Sequence, residues 1–225
     1  MALSDLFSLR RRPDTEEGAG SDVPAQPTKA LGKFLSSLQS RSQPVLLDLG
    51  PVVGSNVTFF GEQLGCKIFV ENLFKDVDRH VQEGRLEDLP AWFDQRFSKP
   101  DASVDGILSW DLFDYLDKRT GSVVARHLVR LLKPEGALFA MFNASEPRDT
   151  DESHYTRFVV VDPTSLQYRP YRALQSRGRV LQNRDITRMF EPLRITDQFL
   201  LKSNIREVLF RKASVPAGAS PATTA

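Results

Sequence analysis

From Lys29 onward, Leu31, Phe34, Leu35 and Leu38 recur at the i, i+3, i+4, i+7 spacing, which predicts an amphipathic helix ended before Pro44. The next run, "VLLDLG" (Val45 to Gly50), is continuously apolar, as expected of a parallel strand covered on both faces. A turn and a helix from about Asn56 follow, with Gly65 just past the helix end. "KIFVEN" reads as a second strand, "LFKDVDRHVQ" as a helix ended by Gly84, and a further helix starts near Asp88 with Pro90 in its first turn. "DGILSW" is a strand, "SVVARHLVRLL" a helix burying Val123, Val124, His127, Leu128, Leu131 and Leu132, and "ALFAMF" the next strand.

Strands alternating with helices at this spacing predict βαβ crossovers, hence an α/β, doubly wound, mostly parallel sheet with helices on both faces. The last third differs. "RFVVV" and "LQYRPY" read as additional strands, and "NRDITRMF" as a short helix capped by Asn183. "LRITDQFLL" and "REVLFRK" read as a closing strand pair that must be antiparallel, because "KSN" is too short to cross over. Between Gly84 and Asp105, where another parallel strand would fall, there is only "GRLEDL".

Residues 1–28 and 213–225 are polar, rich in Pro and Gly or small residues, and aperiodic, which predicts disordered tails around one domain at 29–212. Within that domain, 144–180 is the expected cap or acceptor-site segment. The start lacks the apolar run of a signal peptide, and no stretch reaches the roughly 20 apolar residues of a membrane span, so a soluble, cytoplasmic protein is expected. With 30 Lys plus Arg against 29 Asp plus Glu, bulk charge gives no sign of a nucleic-acid or membrane partner. One cysteine, Cys66, and three scattered histidines give no basis for a disulfide or a metal site.

In sheets of this kind, ligands sit beyond the carboxyl ends of the strands. Asp48 and Gly50 end the first strand. Gly50 lets the backbone approach a ligand, Gly54 lets the next helix pack closely, and Glu71 ends the second strand where a carboxylate accepts both hydroxyls of a ribose. Asp48, Gly50, Gly54 and Glu71 resemble motif I of the class I S-adenosylmethionine-dependent methyltransferases, D-x-G-x-G-x-G with an acid about 23 residues after the first. "VDGILSWDLFDYLD" and "ARHLVRLLKPEGALFAMF" are similar to that family's fourth-strand segment and its R-x-L-K-P-G-G helix, turn and strand. The dinucleotide fingerprint G-x-G-x-x-G is not met by "GPVVGSN", which sets aside a dehydrogenase.

The resemblance implies a seven-stranded sheet, S-adenosylmethionine as cofactor, and methyl transfer to a small-molecule or protein acceptor. The cofactor-binding residues it implies are Asp48, Gly50, Pro51, Gly54, Glu71, Asn72, Trp110 and Asp111, with Asp88 and Leu89 near the adenine by analogy. Two departures stand out. Val52 replaces the middle glycine and would be strained if that position needs a positive φ, and Pro51 removes an N–H. They keep open an alternative, a non-catalytic methyltransferase-like cofactor sensor or scaffold. Methyl transfer relies on positioning, so no catalytic dyad is required, and His154 is the one general-base candidate, His127 being read as core. Arg169, Arg172, Arg177, Arg179, Arg184, Arg188 and Arg194 read as a solvated surface, and the absence of a D/N-P-P-Y motif after the fourth strand argues against a nucleic-acid amino group as acceptor.

Overall fold

The structure is a computed structural model and describes residues 23–147, 153–178 and 180–214, so most of both expected tails and Arg179 lie outside the described residues. Its elements are β1 (Gln26–Pro27), α1 (Leu31–Gln39), β2 (Val45–Asp48), α2 (Gly54–Thr58), β3 (Lys67–Val70), α3 (Leu73–Gln82), α4 (Leu89–Arg96), β4 (Val104–Trp110), α5 (Lys118–Leu131), β5 (Leu132–Asn143), β6 (His154–Asp162), β7 (Ser165–Arg172), α6 (Asn183–Met189), β8 (Arg194–Leu200) and β9 (Ile205–Arg211). The central sheet runs β3-β2-β4-β5-β9-β8. The first four of these strands pair in parallel, and β9 is antiparallel to both β5 and β8.

Period-2 alternation along the central strands divides the core into two layers. Leu47, Ile107, Leu138, Ala140 and Phe142 face α3, α4, α5 and α6, whereas Leu46, Leu108, Phe139 and Met141 face α1. Every residue of β4 is buried, which is why its sequence reads as an unbroken apolar run apart from Asp105 and Ser109. Asp105 is fixed by three donors, the Val45 N–H at 2.9 Å, Arg41 at 2.9 Å and Lys133 at 2.7 Å. It thereby ties the start of β2 to the turn that opens β5.

The helix boundaries follow local chemistry. Gly65 (φ +65) and Gly84 (φ +64) adopt the left-handed conformation at the ends of their helical segments, as the sequence predicts. Asp117 caps α5 by accepting from the Arg119 and Thr120 N–H groups, so that helix starts four residues before the apolar pattern does. The Leu31 N–H that opens α1 donates to Thr28 Oγ1 at 3.4 Å. Just before it, the fully buried carboxylate of Glu207 on β9 accepts from the Lys29 and Ala30 N–H groups at 2.8 and 2.9 Å.

Three expectations need correction. The sheet has six strands rather than seven, because "GRLEDL" forms a 3-10 turn at Leu86–Asp88 that leads straight into α4. Arg85 pairs with Glu83 and Asp88 across that turn, and so charged a stretch has no apolar face to offer a sheet. Asn183 is the first residue of α6 rather than its cap, and its side-chain carbonyl accepts from Gln198. Finally, Gln26–Pro27, assigned to the tail by composition, pairs with β7.

The segment after β5 forms an antiparallel hairpin, β6 with β7, that β1 extends to a three-stranded sheet. Tyr155 on β6 is buried in one core layer, while Phe158 and Val160 on the same strand are buried in the other. The strand therefore passes over an edge of the central sheet.

Gly106 fits β4 beneath α1 with no space to spare, since a Cβ there would lie 2.6 Å from Leu38 Cδ2 and 3.0 Å from Phe34 Cζ, both on fully buried residues. Gly106→Ala is expected to cost about 1–3 kcal/mol by overpacking, read as a lower urea midpoint at unchanged slope.

Candidate functional site

Strand order reverses between β2 and β4, which makes the crevice beyond their carboxyl ends the switch point of the sheet. Asp48 ends β2 and is 4% exposed. Its Oδ1 accepts from the Gly50 N–H at 2.9 Å and from Trp110 Nε1, at the end of β4, at 2.7 Å. Burial raises the Asp48 carboxyl to about 6 against the opposing effect of these two bonds. Trp110 is held at φ +49, a strained conformation for a bulky residue, and its ring stacks on Phe158 of β6 at 5.2 Å and 10°.

This indole explains Gly50. A Cβ there would lie 2.8 Å from Trp110 Cδ1 and 3.2 Å from Asp48 Oδ1. Val52, by contrast, is 66% exposed and does not have a positive φ, so the strain expected at the middle glycine position is not present. Gly54 is exposed at the start of α2, where close packing does not explain it, and Pro51 is half-buried.

Glu71 follows β3, and its N–H donates to the Asp48 carbonyl at 2.7 Å, which brings the two acids into one crevice. The Glu71 side chain, 20% exposed, is paired with Arg96 at 2.5 Å and Lys99 at 3.1 Å. Burial acts to raise its carboxyl, but hydrogen bonds and charge from Lys99 and Arg96 outweigh it and hold the group below the usual range. Asn72 serves as the cap of α3, accepting from Lys75 N–H at 3.3 Å. Asp88 is exposed and paired with Arg85, and Leu89 is buried in the core, so neither joins this group.

After β4, a short turn buries two further acids. Asp114 accepts from the Asn143 N–H and side-chain amide at 2.8 and 2.7 Å, and burial raises it to about 6. Asp111 is 3% exposed, and burial, followed by the nearby charge of Asp114, pushes its carboxyl well up. Its Oδ1 has no hydrogen-bond partner among the described residues.

The β6–β7 hairpin closes over these groups. Asn56 of α2 clamps β6 at both ends of its amide, donating to the Phe158 carbonyl and accepting from the Val160 N–H, each at 2.8 Å. Tyr155 donates to Asp78 of α3 at 2.7 Å, and Tyr115 donates to the His154 carbonyl at 2.7 Å. His154 itself is exposed at the start of β6 and meets the site through its backbone. His127 is half-buried rather than buried, stacking on Phe97 and contacting Asp94 at 2.9 Å.

Of the residues expected from the sequence, the fold brings Asp48, Gly50 and Trp110 into contact, while Glu71 joins Asp48 through its backbone N–H and Asp111 follows Trp110 in sequence. Not expected from the sequence were Asp114, whose signal was an acid inside the apolar run "DLFDYL", and Asn56 and Phe158. Arg96 and Lys99 carry no local signal, because only tertiary structure sets them against Glu71. Among the described residues no cluster of three or more His, Cys, Asp or Glu is placed to hold a metal ion, and no helix is long and apolar enough to cross a membrane.

No family model and no curated protein matches the chain. Similar solved structures include a 1,6-didemethyltoxoflavin-N1-methyltransferase from Burkholderia thailandensis with bound 1,6-didemethyltoxoflavin and S-adenosylhomocysteine, at 14% identity and a TM-score of 0.49, over 83% of this chain and 78% of that one. A SAM-dependent methyltransferase from Aquifex aeolicus is 14% identical at a TM-score of 0.46, over 80% of this chain and 88% of that one. The [4+2]-cyclase SpnF is 11% identical at 0.48, over 82% and 81%. The architecture rests on strand order itself.

With Asp48 and Asp114 both raised to about 6, the folded state binds more protons than the unfolded chain between about pH 4 and 6, so these two groups lower stability as pH rises through that window. Asp114→Asn should flatten the fall in melting temperature over this range, removing a pH-dependent contribution on the order of 2 kcal/mol. The order of the strands, the reversed β9 and the switch-point crevice give the chain a doubly wound, mostly parallel α/β sheet closed by an antiparallel strand pair.

Proposed function

We propose that the crevice between β2 and β4 is a seat for S-adenosylmethionine and that the chain is a methyltransferase acting on a small-molecule or protein acceptor. The observation that carries this reading is the meeting of Asp48, Gly50 and Glu71 at adjacent strand ends beside Asp111, a buried acid with an orphaned oxygen. Two features fit such a ligand. Glu71 stands one residue beyond the end of β3, next to the end of β2, and the Asp111 oxygen is suited to an ammonium group. Glu71 would accept from the ribose hydroxyls, with Arg96 and Lys99 keeping it ionised.

The cofactor, when bound, supplies a methyl group on a sulfonium with a good leaving group. This chain's residues supply position and a dry site: the buried rings of Trp110 and Phe158 stack beyond the end of β4, and the Asn56 clamp holds the hairpin there. The 144–180 segment, which contains the hairpin, is the cap on the acceptor side. A second reading, a methyltransferase-like protein without catalysis, draws on one observation: the two cations on Glu71 already satisfy the carboxylate that a ribose would need.

Calorimetry with S-adenosylmethionine and S-adenosylhomocysteine separates the two. The enzyme reading expects binding in the micromolar to tens of micromolar range, with Glu71→Ala weakening it about tenfold, ~1.4 kcal/mol. Binding that ionises Asp111 releases a proton, so the heat should differ between buffers of different ionisation enthalpy, and affinity should fall as pH is lowered. No heat at high protein concentration would reject the enzyme. Binding without transfer of a labelled methyl group to any acceptor would support the sensor.

A further inference from the structure

At the opposite end of the sheet, beside the amino ends of the parallel strands, lies a cleft of about 620 Å³ lined by Arg41, Glu135, Arg194, Thr196, Arg211 and Lys212 together with small polar residues. Four cations face one acid. Two of them are already engaged. Arg41 is shared between Asp105 and the Pro134 carbonyl, and Lys212 donates to the Val129 and Leu132 carbonyls at 2.8 and 2.6 Å.

Arg194 and Arg211 are different. They are direct cross-strand partners on β8 and β9, so their side chains leave the sheet on the same face, side by side. Arg211 makes one long bond, 3.3 Å, to the Glu135 carbonyl, and among the described residues no group accepts from Arg194. Like charges placed opposite each other in a ladder are destabilising unless an anion lies between them. Two guanidinium forks are suited to the tetrahedral oxygens of a phosphate, and the cleft has room for more than one such group.

We propose that this cleft binds a small ligand carrying a diphosphate or longer phosphate chain, with Arg194 and Arg211 gripping one phosphoryl group and Lys212 and Arg41 lending field to the next. Its concave shape and the single net positive charge of the whole chain favour a small ligand over a nucleic-acid backbone, which needs an extended basic face. The site is remote from Asp48 and Trp110 and is independent of the methyltransferase reading.

The test is calorimetry of the full chain with inorganic pyrophosphate at about 100 mM NaCl, where exposed charges are screened beyond roughly 10 Å. Binding with Kd on the order of tens of micromolar is expected, weakened at least about tenfold in Arg194→Gln/Arg211→Gln and unchanged in Arg184→Gln on α6. In phosphate-free buffer the double variant should melt at or above the wild-type temperature, and pyrophosphate should raise the melting temperature of the wild type alone. No heat at millimolar pyrophosphate, equal binding by the double variant, or a lower melting temperature of that variant without phosphate would each overturn the proposal. So would tighter binding of duplex DNA that grows with its length, which would mark a general polyanion surface.

Discussion

A single buried carboxylate organises the upper half of this molecule. Asp48 is withdrawn from water at the end of β2, and the cost of that burial is offset in part by two donors, the Gly50 N–H and the Trp110 indole. The first bond sets the turn out of β2. The second pulls Trp110 into a positive φ at the end of β4 and aligns its ring for stacking on Phe158. Gly50 must lack a side chain because the indole occupies that space. Loop and strand end are thus joined by one group with two partners, and the hairpin is reached through the second of them, Trp110.

The same arrangement places two kinds of acid near one another. Asp48 and Glu71 differ in what surrounds them: the first has only neutral donors and is raised, the second has two cations and is lowered. Asp111 and Asp114 add a second buried pair, of which Asp114 is satisfied by Asn143 and Asp111 is not. A core that retains an acid with an unpaired oxygen gives up stability that an apolar residue would have kept, and such sites are where ligand chemistry is concentrated.

Much of the fold was legible because its signals are local. The apolar run of β2, the glycines at 65 and 84, and the short "KSN" link before β9 each act within a few residues, and each corresponds to an observed feature. The "GRLEDL" stretch was doubtful as a strand for a physical reason, its charge density, and it is a turn. The site was legible where chain spacing dictates position, as for Asp48 and Glu71. It was not legible where position depends on folding back: the Glu71 cations arrive from α4 and the residues after it, and the Asn56 clamp acts on a strand 102 residues downstream. Val52 shows the reverse error. A motif position suggested strain, whereas the backbone took an ordinary conformation and left the side chain in water.

The Glu207 carboxylate that holds the start of α1 comes from β9, 177 residues later in sequence than Ala30. During synthesis, α1 therefore emerges long before the group that neutralises its amino end, and β9 must insert between β5 and β8 before the connection is made. The first helix and the last strand are completed together. Contacts of such long separation close slowly because the loop entropy precedes the reward. Until β9 arrives, a chain emerging from the ribosome exposes the free edge of β5, which makes this interval the one in which the protein is most open to aggregation.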